Sequence, residues 1–150
     1  NENVKAYSVY GHRHISEIIQ ESNLIDNRFD NQITFLPHLV PMTRGILTTI
    51  YADYNAEKIK GNDHLIEIFR DFYKDSPFIK IVNEPPATKN TLGSNYCHIY
   101  PYIEPNSDKL ILLSCIDNLV KGTAGQGVQN MNLMFGLNET ESLIDLALYP

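Results

Sequence analysis

Residues 95–116 constrain the fold more than any other stretch. Tyr96, His98, Tyr100 and Tyr102 alternate with Cys97, Ile99, Pro101 and Ile103; Pro105-Asn106-Ser107-Asp108 supplies a turn, and Lys109 to Ile116 runs back. Period-two alternation bounded by turn residues predicts a β-hairpin. The pattern places tyrosines on one face of that hairpin and aliphatic side chains on the other. Such a sheet has two faces to bury, and tyrosine is enriched at interfaces. A two-fold dimer is the commonest way to cover the second face, so a homodimer or higher homo-oligomer is expected.

The remaining elements alternate in type. Tyr7 to Tyr10 reads as a short strand that turns at Gly11 into a helix from about His14 to Ile25, where Ile15, Ile18, Ile19 and Ser22 recur at helical spacing. A polar stretch, Asp26 to Asn31, leads to strand-like Ile33-Thr34-Phe35-Leu36, where Pro37 ends the pairing or sets it on an edge. Ile46 to Tyr51, apolar on both faces, predicts a well-buried strand. Asn62-Asp63 caps a helix with Leu65, Ile68, Phe69, Phe72 and Tyr73 in one stripe, followed by a short strand, Phe78 to Val82. The last helix begins near Asn118 with Val120, Ala124, Val128, Met131 and Phe135 at spacings of three or four, and that stripe needs a cover. The class is α+β, a mostly antiparallel mixed sheet covered by helices.

Composition narrows the function classes. At 150 residues with 43% hydrophobic content, the chain can build a sizeable core. A formal net charge of −6 argues against nucleic acid and against an anionic membrane surface as partners. No run reaches the roughly 18 apolar residues of a membrane span. Cys97 and Cys115 both fall in strand-like runs, which fits reduced thiols in a cytoplasmic protein and structural packing better than reactivity. The chain opens on Asn1-Glu2-Asn3, without Met, as a piece of a longer protein would.

Three groups of residues carry candidate chemistry. His12, Arg13, His14 and Glu17 crowd the predicted strand-to-helix corner, where they form either a helix cap with solvated charges or a site with an imidazole aimed at open space. Arg44, at the mouth of the Ile46 strand, suits an anionic ligand or a surface ion pair. Lys121-Gly122-Thr123-Ala124-Gly125-Gln126-Gly127 follows a strand and opens a helix. Glycines there let a ligand approach the backbone, or let helix and strand pack closely. His64 and His98 read as packing or interface residues.

Three stretches resemble N-acetyl-gamma-glutamyl-phosphate reductase: Gly11-His12-Arg13-His14 with Glu17-Ile18; Pro37-His38-Leu39-Val40-Pro41-Met42 with Arg44-Gly45-Ile46; and Asp117 to Gly122 through Ala124-Gly125-Gln126 to Asn130-Met131-Asn132. The third also resembles the last helix of aspartate-semialdehyde dehydrogenases. Ser16 stands where that family usually has proline, and both suit a helix start. The resemblance implies the C-terminal dimerisation domain of a semialdehyde dehydrogenase, of the glyceraldehyde-3-phosphate dehydrogenase-like type. It divides the chain into a catalytic and dimerisation part, 1–117, and a C-terminal helix, 118–150, that would pack on an NADP-binding domain. It implies reduction of a small acyl phosphate by NADP-linked hydride transfer through a cysteine thioester. The nucleophile of that family sits in an Asn-Pro-Gly-Cys setting absent here. His12 takes an acid/base role by resemblance, with His14 beside it and Glu17 holding the tautomer, and the sequence leaves open which of the two histidines is the base. Arg13 is implied for the anionic substrate, with Arg44 a second candidate from its place at the strand mouth, and Gly122, Gly125 and Gln126 are implied for the cofactor. His38 lies in one of the matching stretches and is read only as active-site architecture.

Two other classes stay open. A zinc module would use His12 and His14 with His38 or His98, although the sequence offers no Cys-x-x-Cys or spaced acidic partner, so no metal ligands are assigned. An interaction module, folded and dimeric without chemistry of its own, is the other.

Overall fold

The computed structural model describes residues 2–26, 33–145 and 147–148, and most of the stretch between Asp26 and Asn31 lies outside them. In chain order the elements are β1 (Lys5–Ala6), α1 (Arg13–Ile25), β2 (His38–Leu39), β3 (Ile46–Ala52), α2 (Asn62–Phe72), β4 (Ile79–Ile81), a 3-10 turn (Thr88–Thr91), β5 (Cys97–Glu104), β6 (Lys109–Ile116), a π-helical turn (Val120–Ala124) and α3 (Gly125–Met134). They fall into two compact units, Asn1–Thr43 and Arg44–Pro150.

The larger unit is built on the predicted hairpin. β5 and β6 pair antiparallel, from Cys97 opposite Ile116 to Glu104 opposite Lys109. The turn is held by Glu104, whose carboxylate accepts from the backbone N–H of Asn106 and of Ser107 at 2.9 and 2.7 Å. β3 joins the outer side of β6 antiparallel and β4 joins β5 in parallel, giving the order β3-β6-β5-β4. The sheet is mixed and mostly antiparallel, as the α+β class requires.

The register sorts the side chains as the alternation predicted. Cys97, Ile99, Pro101 and Ile103 share one face, and α2 covers it: Leu65 and Phe78 are fully buried, and Asn62 Oδ1 accepts from the Ile103 N–H at 2.7 Å. His98, Tyr100 and Tyr102 share the opposite face with Leu113 and Ile111, and the Tyr100 and Tyr102 rings stack 6.2 Å apart. The 3-10 turn covers only the Cys115 end of that face, where Thr91 Oγ1 meets Cys115 Sγ at 3.6 Å. Pro85, Tyr100, Tyr102, Ile111 and Leu113 line a shallow hollow of about 430 Å³ further along.

The structure departs from five of the expectations. β3 is not buried on both faces: it is an edge strand, and Leu47, Ile50 and Tyr51 are exposed, because high β-propensity does not distinguish an edge from a centre. The α2 stripe is only partly covered. Leu65 is buried while Ile68 and Phe72 are exposed.

The last helix buries a face turned about a quarter-turn from the expected stripe. A π-turn begins it, with Gly122 N–H donating to Asp117 O at 2.9 Å and Ala124 N–H to Leu119 O at 3.0 Å. Each i→i+5 bond shifts the helical phase relative to an α-helix. The buried positions of α3 are then Gly125, Gln129 and Asn132, while Met131, Leu133 and Met134 are exposed and Phe135 is 75% exposed.

In the smaller unit, neither Tyr7–Tyr10 nor Ile33–Leu36 is a strand. Pro37 has no N–H for a ladder, and the two-residue pairing forms beside it, Lys5 opposite Leu39 and Ala6 opposite His38, with Pro37 O accepting from Tyr7 N–H at 3.1 Å. Ser8 has φ 50°, and a turn closes from Gly11 N–H to Ser8 O at 3.1 Å. That turn ends the extended segment before Tyr10.

Candidate functional site

The smaller unit gathers the first candidate group. His12 is the N-cap of α1, in extended conformation, and its Nδ1 accepts from the His14 N–H at 3.2 Å. An N-cap side chain satisfies a backbone donor that the first helical turn would leave free. The cap also brings the two histidines together, with ring centres 4.6 Å apart. Tyr7 and Phe35 stand edge-on to the His12 ring at 5.4 and 5.5 Å, so the imidazole is boxed by aromatics that the sequence reading did not single out. With Nδ1 accepting, the neutral ring carries its proton on Nε2. The tautomer is thus set by a backbone amide. Glu17 is exposed and, among the described residues, makes no hydrogen bond to either histidine. Arg13 is exposed as the first residue of α1, and its carbonyl accepts from Ser16 Oγ at 2.8 Å.

The larger unit holds the second group. Arg44 Nη2 donates to Asp117 Oδ2 at 2.6 Å, with the Arg44 side chain 34% exposed and Asp117 fully buried. The same oxygen accepts from Gly93 N–H at 2.7 Å, and Oδ1 accepts from the N–H groups of Leu119 and Val120 at 2.8 and 2.9 Å. Burial pushes the Asp117 carboxyl up, but the Gly93, Val120 and Leu119 amides and the Arg44 guanidinium outweigh it and hold the group below its ordinary value. Beside this pair, Gly45 N–H donates to Asn118 Oδ1 at 2.7 Å. Asp117 was not among the expected site residues. The signal that could have found it is Asp-Asn immediately before a helical run, which is an N-terminal cap signature.

The third group lies along the π-turn and α3. Gly122 is exposed. Gly125 is buried, and its missing side chain is accounted for by packing: a Cβ there would overlap Asn95 Oδ1 and lie 2.7 Å from Val120 Cγ1. Gln126 Nε2 donates to Asn130 Oδ1 at 2.9 Å. Behind them runs a polar network that explains the inward face of α3. Gln129 Oε1 accepts from Asn95 Nδ2 at 2.9 Å and from Lys121 Nζ at 2.7 Å, while Gln129 Nε2 donates to Glu139 Oε1 at 2.6 Å. Burial lowers the Lys121 pKa, against the pull of Cys97 and Glu139.

Both cysteines are buried and free, and burial pushes both thiols up. A raised thiol is a poor nucleophile near neutral pH. His64 Nδ1 accepts from Lys60 N–H at 3.1 Å, a loop-holding contact, and His38 is exposed in β2. His98 is half-buried, its pKa lowered by burial and by Lys80. Among the described residues no three His, Cys, Asp or Glu side chains come together to hold a metal ion, and no helix is long and apolar enough to cross a membrane.

A mixed sheet with helices on one face and a tyrosine face left open defines a class of domain. The family model for the semialdehyde dehydrogenase dimerisation domain matches residues 1–118, and the chain belongs to that family. Its curated relatives are more specific. Over 150 residues it is 50% identical to an N-acetyl-gamma-glutamyl-phosphate reductase of Dehalococcoides mccartyi. It is 48% identical over 153 residues to the reductase of a Thermoanaerobacter species, and 45% identical over 152 residues to that of Staphylococcus saprophyticus. In each case all of this chain is matched, and it spans 43% of the relative's length.

Proposed function

We propose that the chain is the catalytic and dimerisation part of an NADP-dependent reductase that converts N-acetyl-glutamyl 5-phosphate to N-acetyl-glutamate 5-semialdehyde in arginine biosynthesis, acting in the cytoplasm. The similarity of all 150 residues to reductases of that name carries the reading. A thiolate outside this chain attacks the acyl carbon, an oxyanion develops, and phosphate leaves to give a thioester. Cys97 and Cys115, buried and with raised pKa, do not compete for that role.

His12 serves this step as a proton donor. Its Nδ1 is occupied by the His14 amide, so Nε2–H is the group free to meet the developing oxyanion. His14 adds a second imidazole beside it, and Glu17 lies one helical turn beyond His14 on the same helix. Arg13 and Arg44 offer planar donors to the carboxylate and phosphate of the substrate. The reduced cofactor, NADPH, would supply the hydride that turns the thioester into the aldehyde and releases the thiolate. Exposed Gly122 and half-buried Gln126 leave an open backbone at the start of α3 that suits its approach, with Gly125 holding that segment against Asn95. The exposed row Met131, Leu133, Met134 and Phe135 in residues 118–150 suits packing against a cofactor domain.

The tyrosine face is the proposed homodimer surface, because Tyr100, Tyr102, Leu113 and Ile111 line its uncovered part. Sedimentation of the purified chain is expected to show a dimer, and an NADPH-oxidation assay on the acyl phosphate to show no turnover. The full-length protein that carries this chain is expected to turn over in the same assay. A clean monomer refutes the interface. Turnover by the isolated chain would make one of its own cysteines catalytic, and an inactive full-length protein would overturn the reductase reading.

A further inference from the structure

The buried Asp117 carboxylate joins two parts of the candidate site that the sequence separates widely. On one side is Arg44, the last residue before Gly45 and the β3 edge strand. On the other are Leu119 and Val120, which open the π-turn leading to Gly122, Gly125 and Gln126. Four donors converge on its two oxygens at 2.6 to 2.9 Å. The ladder between β3 and β6 ends at Ile46 opposite Ile116, and these side-chain bonds, with Gly45 N–H to Asn118 Oδ1, continue the pairing beyond it.

We infer that Asp117 is a positioning residue for both ligands: its Oδ2 fixes the Arg44 guanidinium for the anionic substrate, and its Oδ1 fixes the π-turn that presents the cofactor-side segment. The inference rests on the reductase reading of Arg44 and of that segment.

Charge makes the arrangement workable. A carboxylate paired with one arginine alone would neutralise it and blunt its pull on a second anion. Here three backbone N–H groups share the negative charge of Asp117, so the guanidinium keeps part of its field. Asp117 engages only Nη2, and Arg44 remains one-third exposed. Arg44 Nε is buried, so the inner end of the guanidinium is packed while Nη2 is held by Asp117. The guanidinium is therefore held in one orientation by its surroundings, and a planar fork held in one orientation loses less entropy when it binds a planar anion.

The test is steady-state kinetics of the full-length protein with Asp117→Asn, Arg44→Gln and the double variant. Asparagine keeps an oxygen for the Leu119 and Val120 amides but turns an N–H₂ towards Arg44. Asp117→Asn is expected to raise KM for the acyl phosphate about tenfold or more, as for a broken buried charge pair, with a smaller rise in KM for NADPH and a smaller change in kcat. On the Arg44→Gln background it is expected to add nothing further to the acyl-phosphate KM. Lowered thermal stability with both KM values unchanged, or additive effects in the double variant, would overturn the inference. If Arg44→Gln leaves the acyl-phosphate KM unchanged, the substrate role of Arg44 falls, whatever Asp117 does. Arginine side-chain NMR of the unaltered full-length protein gives an answer even if Asp117→Asn does not fold. Separate Nη proton signals for Arg44 are expected from a fixed guanidinium, and one averaged signal would overturn the inference.

Discussion

His12→Ala in the full-length protein is expected to lower kcat by about 10²- to 10⁴-fold, the range for lost proton transfer, at saturating acyl phosphate and NADPH. The same side chain caps α1 through the His14 amide, so alanine also removes a cap, an effect of about 1 kcal/mol on stability. His12→Asn separates the two roles. Asparagine caps well, so stability is expected to return, but it has no titratable proton, so kcat stays low. Near-wild-type turnover in either variant would remove His12 from the chemistry. Recovery of kcat with asparagine alone would make the histidine a structural cap.

Gly45→Ala is expected to destabilise the larger unit by about 3 kcal/mol, read from the denaturation midpoint. Gly45 has φ +100°, and an added Cβ would lie 2.6 Å from Thr88 Cβ and 2.9 Å from Thr88 Cγ2. Strain and overlap therefore act together, one residue from Arg44. Gly127→Ala is the control of opposite sign. It lies within α3, nothing stands within 4 Å of its would-be Cβ, and alanine there is expected to add about 0.5–1 kcal/mol. A loss below 1 kcal/mol for Gly45→Ala would show that Thr88 moves aside without penalty.

The hairpin was legible because alternation and turn residues are local signals, and its face assignment followed from period two alone. α1 and α2 were legible from their spacing. The face of the last helix was not, because hydropathy ranks Gln129 and Asn132 as solvent-facing. Asn95, Lys121 and Glu139 bond Gln129, and the backbone carbonyls of Glu139 and Glu141 accept from Asn132, so both inward-facing side chains are hydrogen-bonded. The π-turn adds a phase shift that no 3.6-residue pattern contains. At the site, the His12 and His14 cluster was visible as a local crowd. Asp117 was not, since its importance lies in partners at Arg44 and Gly93, far away in sequence. Phe35 falls in a strand-like run, and only the chain's return beside β1 turns it into a wall for His12.

The position of β3 at the rim of the sheet bears on the order in which the molecule assembles. β5 and β6 meet across a four-residue turn, so their pairing closes a short loop and can form early. β3 must find β6 across the whole intervening chain, and it gains cross-strand contacts on one side only. The larger entropy of closure falls on it, so it docks late in refolding. Until it docks, Leu47, Ile50 and Tyr51 belong to an unpaired strand rich in β-formers, the species from which intermolecular sheet growth starts. Refolding yield should then fall with protein concentration before the hairpin itself is perturbed, and the β3–β6 amides should be the last in the sheet to gain protection from exchange.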